Sequence, residues 1–553
     1  MSVDKRDLLT VSILSIVFFS LAFWNVGLNS VQLSTWRQSS GKSFYADFGR
    51  LENVSAVYFL LKNGQFDLNV YSGYPGNWSK VAEASLKDYY CWKKVDVNCE
   101  TRFLRITFGI SYGEIAELAA LNSEGIKIAI NSIESEKGND ETLRNLIDEQ
   151  EKVECPPTYM SETYFDEIYY VKAAEEYIKG RVPSEWTHPP LGKLILTAAI
   201  LVFGYHPMGW RIMVVIFATL MVSVIYFFGK KLFRTWIGAF SSAFLLMFDF
   251  MHFTVGRIAT VDTFLVFFSL TSHFFFFIYF QKVLSEGWKT STVPLFLAVL
   301  FFALGFSTKW ITLYGFVGQI FLLLIIRMKS LADEKGWNTR VKAFFGRPFL
   351  LFIGFLAFAI IIYFLTFVPH LLIGYSLKDV YDLQFSMYRF HSTLTATHPF
   401  SSEWWSWPFI ARPVWLYVSD LPGGMVSTIV AMGNPAVWWL GFASIFLAIL
   451  EFFKERNYVC AFIVVIFFFQ WLPYAVISRC LFIYHFYSNV PFLIFATVYF
   501  LNKSWSTQRG KIVWLAYLAF VVVLFMLFYP VISGAPIPYW WRDSLRWFRG
   551  WVF

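Results

Sequence analysis

Charge is scarce in this chain. Only 15% of its residues are Asp, Glu, Lys or Arg, against roughly 25% in an average soluble domain. That scarcity excludes a disordered chain and an ordinary soluble enzyme. Cysteine is scarcer still, and five in 553 residues cannot frame a disulfide-rich scaffold. The sequence has no Cys/His cluster with metal-ligand spacing and no internal repeat of the kind that builds transporters. Apolar and aromatic side chains fill the space: 57% of residues are hydrophobic, with 64 Phe and 23 Trp. Mean hydropathy is +0.52. Such a composition belongs to a polytopic α-helical membrane protein. The net charge of +8 is then no sign of nucleic-acid binding, because Lys and Arg in a membrane protein first report topology.

The first apolar run, Leu8 to Leu28, follows Asp4-Lys5-Arg6-Asp7 and is long enough to span a bilayer. It lacks a small-residue cleavage site, so it reads as an anchor. Residues 32 to about 160 then turn polar, with period-two stretches such as Val54-Ser55-Ala56-Val57-Tyr58-Phe59. Asn63-Gly64 and Gly73-Tyr74-Pro75-Gly76-Asn77 read as turns between strands of a small β-sandwich. Ser132 to Glu154 is highly charged and reads as a helix or linker. Cys91 and Cys99 flank a turn signal, Asp96-Val97-Asn98, and are expected to be close enough to bridge, with Cys155 left over and Cys460 in the core.

Further spans are expected at 209–229, 236–254, 260–281, 293–308, 310–327, 349–368, 435–453, 458–477, 481–501 and 512–531. With the anchor, the total is about eleven. The run 189–204 is short, contains Lys193, and is placed in the interface plane. This arrangement puts the basic clusters on one side. They are Lys230, Lys231 and Arg234; Lys282 and Lys289; Arg327, Lys329, Lys335, Arg340, Lys342 and Arg347; Lys454 and Arg456; and Lys503, Arg509 and Lys511. The polar domain then lies outside, with Asn53 and Asn77 in glycosylation sequons.

The expected organisation follows. Residues 1–30 hold the N-terminal tail and first span, and 31–160 the extracytoplasmic β-sandwich and linker. Residues 161–208 form a first outer loop with an acidic pair and interfacial helices. Spans two to seven occupy 209–368, an outer aromatic loop 369–434, and spans eight to eleven 435–531. Residues 532–553 form a C-terminal helix lying on the outer surface, with Arg542, Arg546 and Arg549 on one face.

The outer ends of the spans gather ionisable residues: Asp166, Glu167, His188, Arg211, Asp249, Arg257, Asp262, Lys309, His391, His398, Glu403, Arg412, Arg479 and His485. Charges at membrane depth are costly and need a partner or a task. Several cations beside a carboxylate pair suit an anionic ligand.

The order of motifs resembles the protein O-mannosyltransferases. Phe165-Asp166-Glu167 precedes Thr187-His188-Pro189-Pro190-Leu191-Gly192-Lys193 and Gly209-Trp210-Arg211. Gly256-Arg257 to Asp262, Ser307-Thr308-Lys309-Trp310, Thr397-His398 to Pro408, and Arg479 to Pro491 follow in the same order. The resemblance implies a GT-C glycosyltransferase that moves mannose from polyprenyl (dolichyl) phosphate mannose to Ser or Thr hydroxyls of proteins, with inversion. It implies Asp166 as general base with Glu167 in support or binding sugar or acceptor. It implies Arg211, Arg257, Lys309 and Arg479 as candidates for the phosphate, some of them expected to pair with Asp249 or Asp262. His188 would orient the loop or the leaving phosphate, and His398, Glu403 and Trp404 to Trp407 would shape an acceptor groove. Asp262 completes the set of substrate-binding candidates. Asp166-Glu167 alone is a weak oxygen site for a divalent cation. The implied partners are the lipid donor, an acceptor protein and membrane lipids, with a dimer expected and no nucleic acid. The implied location is a plasma membrane in a prokaryote and the endoplasmic reticulum in a eukaryote. The insert departs from the family, in which the acidic pair follows the first span closely. It resembles a discoidin-like (coagulation factor 5/8 type C) jelly roll, through Ala46-Asp47-Phe48-Gly49, Gly76-Asn77-Trp78 and Arg102 to Ile106. A GT-C transferase for another lipid-linked sugar, or for a lipid or cell-wall glycan acceptor, stays open as the alternative.

Overall fold

Asp4 starts the first helix, α1 (Lys5–Phe23): its side chain accepts from the Asp7 N–H, and the Asp7 carboxylate accepts from the Asp4 N–H. Asp7 is itself buried and takes bonds from Tyr226 Oη (2.8 Å) and Lys230 Nζ (3.0 Å), so one carboxylate both caps α1 and ties it to a later helix. The computed structural model describes residues 3–38, 41–136, 138, 140–332 and 336–553. Of the basic residues read as marking the inner side, Lys335 and the side chains of Lys342 and Arg347 lie outside the described residues.

Seven strands follow α1: β1 (Trp36–Gln38), β2 (Ser43–Tyr74), β3 (Asn77–Lys87), β4 (Cys91–Phe108), β5 (Tyr112–Leu121), β6 (Lys127–Ile128) and β7 (Ser132–Ser135). The sequence suggests two stacked sheets; the strands form one hydrogen-bonded antiparallel sheet. β2 shifts register against β4 at three places and returns along it, so Phe103 pairs with both Asp47 and Gly73. This curl wraps the sheet around a single core that includes Phe44, Phe59, Phe66, Val70 and Ile106. Asn63-Gly64, expected as a turn, is the bend inside β2. Gly64 has φ +114°, and a Cβ there would meet Tyr112 O at 2.2 Å, so the position requires glycine. Cys91 and Cys99 do not flank a turn. Both lie on β4, about 26 Å apart at 3.3 Å per residue, too far to bridge. The Cys91 thiol instead faces Glu162 Oε2 at 3.2 Å. All five cysteines are free. Between Ser132 and Glu154 the chain forms β7 and two short 3-10 helices, Glu141–Leu146 and Gln150–Lys152, rather than one helix.

The helical part contains α2 (Glu167–Ile178), α3 (Leu191–Phe203), α4 (Pro207–Phe233), α5 (Trp236–Met247), α6 (Phe250–Val255), α7 (Asp262–Glu286), α8 (Val293–Phe306), α9 (Thr312–Ala332), α10 (Trp337–Phe344), α11 (Arg347–Leu365), α12 (Val368–Ile373) and α13 (Leu377–Thr393). A small sheet of β8 (Val414–Leu421), β9 (Met425–Ala431) and β10 (Ile537–Pro538) brackets α14 (Pro435–Glu455), α15 (Tyr458–Trp471), α16 (Val490–Ser504) and α17 (Gln508–Ser533). Among the described residues eight helices are long and apolar enough to cross a membrane. Three other expected spans form shorter helices: α5, α8 and α16 have 12, 14 and 15 residues. At 1.5 Å per residue none reaches the roughly 30 Å of a bilayer core. The reasons are local. Asp249 caps α6 and so ends α5, and Ile483–Asn489 winds as a 3-10 helix ahead of α16. The eight include α15, which has 14 residues itself and reaches span length only with the adjoining 3-10 helix Leu472–Val476. α3, with 13 residues, is too short to span.

The expected C-terminal helix is also shorter. α18 (Tyr539–Ser544) has six residues. The chain then folds back, burying Leu545, Trp551 and Phe553, with Trp551 Nε1 donating to Ile410 O (2.6 Å). Arg542 and Arg546 pair with Asp543.

The β domain rests directly on the helices. Leu60, Tyr90 and Trp92 share one apolar cluster with Tyr170, Leu196 and Trp210. Beside them, Lys62 Nζ donates to Glu175 Oε1 and to Tyr205 Oη, both at 2.8 Å, and Tyr89 Oη donates to Glu175 Oε2 (2.6 Å).

Candidate active site

Phe165 has φ +51°, in the left-handed region, and turns the chain sharply into α2. Asp166 is the residue just before that helix and Glu167 its first. The turn and the helical pitch send these two adjacent carboxylates in different directions. Glu167 points into the protein at 0% exposure. It accepts from Arg211 through both oxygens, from Ala259 N (2.8 Å) and from Tyr164 N (3.2 Å). Arg211 spends its remaining donors on Val26 O, Tyr159 O and Glu162 O. Arg257 is likewise taken up by main-chain oxygens of Ala22, Trp24, Asn25 and Ser533. Arg211 and Arg257, expected at the phosphate, therefore hold helix ends together and do not line the cavity described next. Their charges satisfy the carbonyls that helix ends leave unpaired. With Glu167 engaged on both oxygens, the acidic pair does not form a two-carboxylate oxygen site.

Asp166 faces a cavity of about 380 Å³. Among the described residues its carboxylate accepts no hydrogen bond and forms no ion pair. Burial pushes this carboxyl up to about 7; Lys309 opposes the rise, and Asp262 and Glu185 add to it. His391, Arg479 and Tyr484 line the same cavity. His391 Nε2 lies 2.7 Å from Thr187 O, which can only accept, so Nε2 carries the proton and Nδ1 accepts from Arg479 Nη1 (2.9 Å). Burial holds the His391 imidazole down at about 4, with His188 and Arg479 adding to the effect, which agrees with that neutral tautomer. Arg479 keeps its other N–H groups without a partner among the described residues. Lys309 also lines the cavity and pairs with Asp262 Oδ1 (2.8 Å).

His188 is held from behind. Its Nδ1 lies 3.2 Å from Glu185 Oε1, and its main-chain oxygen accepts from Lys193 Nζ (2.8 Å). Lys193 also donates to Glu185 Oε2 (2.6 Å) and Glu185 O (2.7 Å). Burial would raise the Glu185 carboxyl, but Lys193 and His188 override it and hold it well below the usual range.

A second cavity, of about 700 Å³, adjoins the first across Ile477, Arg479 and Cys480. Glu403, Trp404, Trp405 and Arg412 line it. Trp407 does not; it is buried and stacks on His485. His398 is exposed and lines neither cavity; its ring packs against Phe482. Asp249 is buried and caps α6, bonded to Asn434 N and Trp438 Nε1 rather than to a cation.

Asp166, His188, Lys309 and Arg479 thus share one cavity, with Asp262 behind Lys309. Glu403 belongs to the second cavity, and Glu167, Arg211 and Arg257 are buried supports. Sequence reasoning missed Glu185, three residues ahead of His188, and the cavity tyrosines Tyr170 and Tyr484. Tyr484 lies within the segment Arg479 to Pro491, and its ring stacks on His485 at 4.7 Å.

Residues 187–372 match the family model for dolichyl-phosphate-mannose-protein mannosyltransferase. Residues 376–551 match the one for the C-terminal four TMM region of protein-O-mannosyltransferase. The chain is similar to a polyprenol-phosphate-mannose–protein mannosyltransferase of Corynebacterium glutamicum, 27% identical over 470 residues, covering 70% of this chain and 88% of that protein. It is also similar to the enzyme of the same description from Mycobacterium tuberculosis, 26% identical over 440 residues, covering 68% and 83%. Among solved structures it is similar to the S. cerevisiae protein O-mannosyltransferase Pmt1-Pmt2 complex bound to the sugar donor. The TM-score is 0.59 and the identity 14%, over 70% of this chain and 89% of that chain, a likeness of fold. The β domain and Asp166 precede both segments matched by the family models.

Proposed function

Because the chain belongs to the protein O-mannosyltransferase family, we propose that it transfers mannose from a polyprenyl phosphate mannose to Ser or Thr hydroxyls of proteins at the outer membrane face. It is a membrane-embedded glycosyltransferase of the GT-C fold. The observation that carries the reading is the unpartnered Asp166 carboxylate on the same cavity wall system as Arg479 and Lys309. One free base and a set of cations are what this chemistry needs.

In the proposed step the acceptor oxygen attacks the anomeric carbon. The bond from that carbon to the phosphate oxygen breaks, and polyprenyl phosphate leaves with the bonding electrons. The hydroxyl proton passes to Asp166, and attack from the opposite face inverts the configuration. A carboxyl near 7 suits a base working at neutral pH. Arg479 and Lys309 are assigned to the charge that develops on the leaving phosphate, with His391 fixing the direction of Arg479 and Glu185 that of His188. The second cavity is assigned to the acceptor chain, since Arg479 borders both. The yeast relative was solved as a two-protein complex, and a dimer of this chain is part of the proposal; cross-linking in native membranes tests it.

The deciding experiment incubates the purified protein with radiolabelled polyprenyl phosphate mannose and Ser/Thr peptides. Label released from the peptide by β-elimination is expected. Label confined to lipid or glycan acceptors would overturn the protein-acceptor reading.

A further inference from the structure

Three carboxylates converge where the β domain meets the segments that join it to the helices. Glu117 comes from β5, and Asp148 and Glu149 from the turn ahead of Gln150–Lys152. One oxygen from each lies within 4.8 Å of the others. Converging acids alone say little, because solvent and lysines commonly serve them. Here Glu117 is 0% exposed. Its Oε1 accepts from Gln150 Nε2 (2.6 Å), while Oε2 is enclosed and has no hydrogen-bond partner among the described residues. The neighbouring Gln150 Oε1 is also enclosed and also without a partner. Among the described residues one cation bonds the three acids: Lys152, 2.5 Å from Glu149 Oε1. Leaving such an oxygen both buried and unserved is costly.

We propose that Glu117, Asp148 and Glu149, with Gln150 Oε1 beside them, bind a divalent cation of calcium size. The donors are all oxygens, which suits a hard cation. Separations up to 4.8 Å fit opposite sides of a shell with Ca–O distances of about 2.3–2.6 Å. A mixed carboxylate and amide set of irregular geometry suits calcium better than magnesium, which demands a near-ideal octahedron.

The position gives the ion a task. Glu149 Oε2 accepts from Leu33 N (2.7 Å) and Ser34 N (3.1 Å), and Ser34 Oγ donates to Asp148. Leu33 and Ser34 belong to the segment leading into the β domain, and Asp148 to Lys152 to the segment leading out. An ion here fastens both to β5. Next to it, Tyr90 Oη donates to Gln32 O (3.2 Å), and Tyr90 packs edge-on to Trp210 of α4. The cation therefore sets how the β domain rests on the helices and acts apart from the transfer reaction.

The test is thermal unfolding of the full-length protein in detergent, after EGTA treatment, with millimolar CaCl2 or MgCl2 added back. Calcium is expected to raise Tm by about 2–4 °C. Glu117→Gln and Asp148→Asn should each remove that rise, and Glu117→Gln should be no less stable than wild type in EGTA, since its amide N–H can donate to the neighbouring carboxylates. A wild type indifferent to calcium would overturn the proposal, as would a rise that persists in the variants. An equal response to magnesium would overturn the calcium-sized assignment. If Glu117→Gln does not fold, the exposed Asp148→Asn decides the matter alone.

Discussion

Arg211 grips both oxygens of Glu167: Nε lies 2.8 Å from Oε1 and Nη2 lies 2.7 Å from Oε2, with neither side chain exposed. The residue before Glu167 has no such partner. Two neighbouring acids thus divide into one that holds the architecture and one that is free to take a proton.

Asp166→Asn should lower transfer by about 10²–10⁴-fold while the protein still folds and binds donor. Asn keeps the size but cannot accept the proton. The folded Asp166 carboxyl is raised from the ordinary 3.8 to about 7, so its contribution to stability is present below about 4 and lost as pH rises through about 7. Tm at pH 8 should therefore not fall in the variant. Turnover close to wild type would remove Asp166 from the role.

Transfer should weaken as pH drops through about 7, because the raised Asp166 carboxyl takes up a proton there and ceases to be a base. The measurement is kcat/KM against pH with a peptide acceptor. A profile flat from pH 5 to pH 8 would contradict the assignment.

Glu167→Gln and Arg211→Met should fail through stability rather than chemistry. Removing one member of a fully buried pair leaves the other charge unserved and costs about 3–5 kcal/mol. Detergent gel filtration and thermal unfolding should show loss of folded protein in either single variant. A well-folded Glu167→Gln with normal Tm and no activity would return Glu167 to the reaction centre.

Ser544 is exposed on α18. With Cys91, Cys99, Cys155 and Cys480 replaced by Ser, a Ser544→Cys protein should react with an impermeant maleimide added outside intact cells. Labelling only after permeabilisation would mean an even number of spans. In the unaltered chain, a thiol titration under denaturing, non-reducing conditions should find all five cysteines free.

Much of the site is legible in the sequence because its order is local. Two adjacent carboxylates must diverge, and a Lys at one helix boundary can meet an Asp at another, as Lys309 and Asp262 do. What is not legible depends on distant chain segments. Arg211 and Arg257 look like free cations at span ends, and only the packed structure shows them consumed by carbonyls from residues such as Val26 and Ser533. The Cys91–Cys99 pairing fails for a similar reason: Asp96-Val97-Asn98 has turn chemistry, but pairing with β2 holds the segment extended as strand. Helix ends follow the same rule, since Asp249 breaks an apolar run that composition alone would carry across the membrane.

The contact of Lys62 and Tyr89 with Glu175 and Tyr205 also bears on modularity. An insert on a slack tether could be excised or exchanged like a tag. Here the β domain supplies Lys62, which joins Lys179 in pairing with Glu175 on the helix that Asp166 precedes. Cutting out residues 31–160 would leave that glutamate with Lys179 alone and strip the cover from Trp210. A graft that keeps the enzyme working must bring its own apolar roof for α2 and α4.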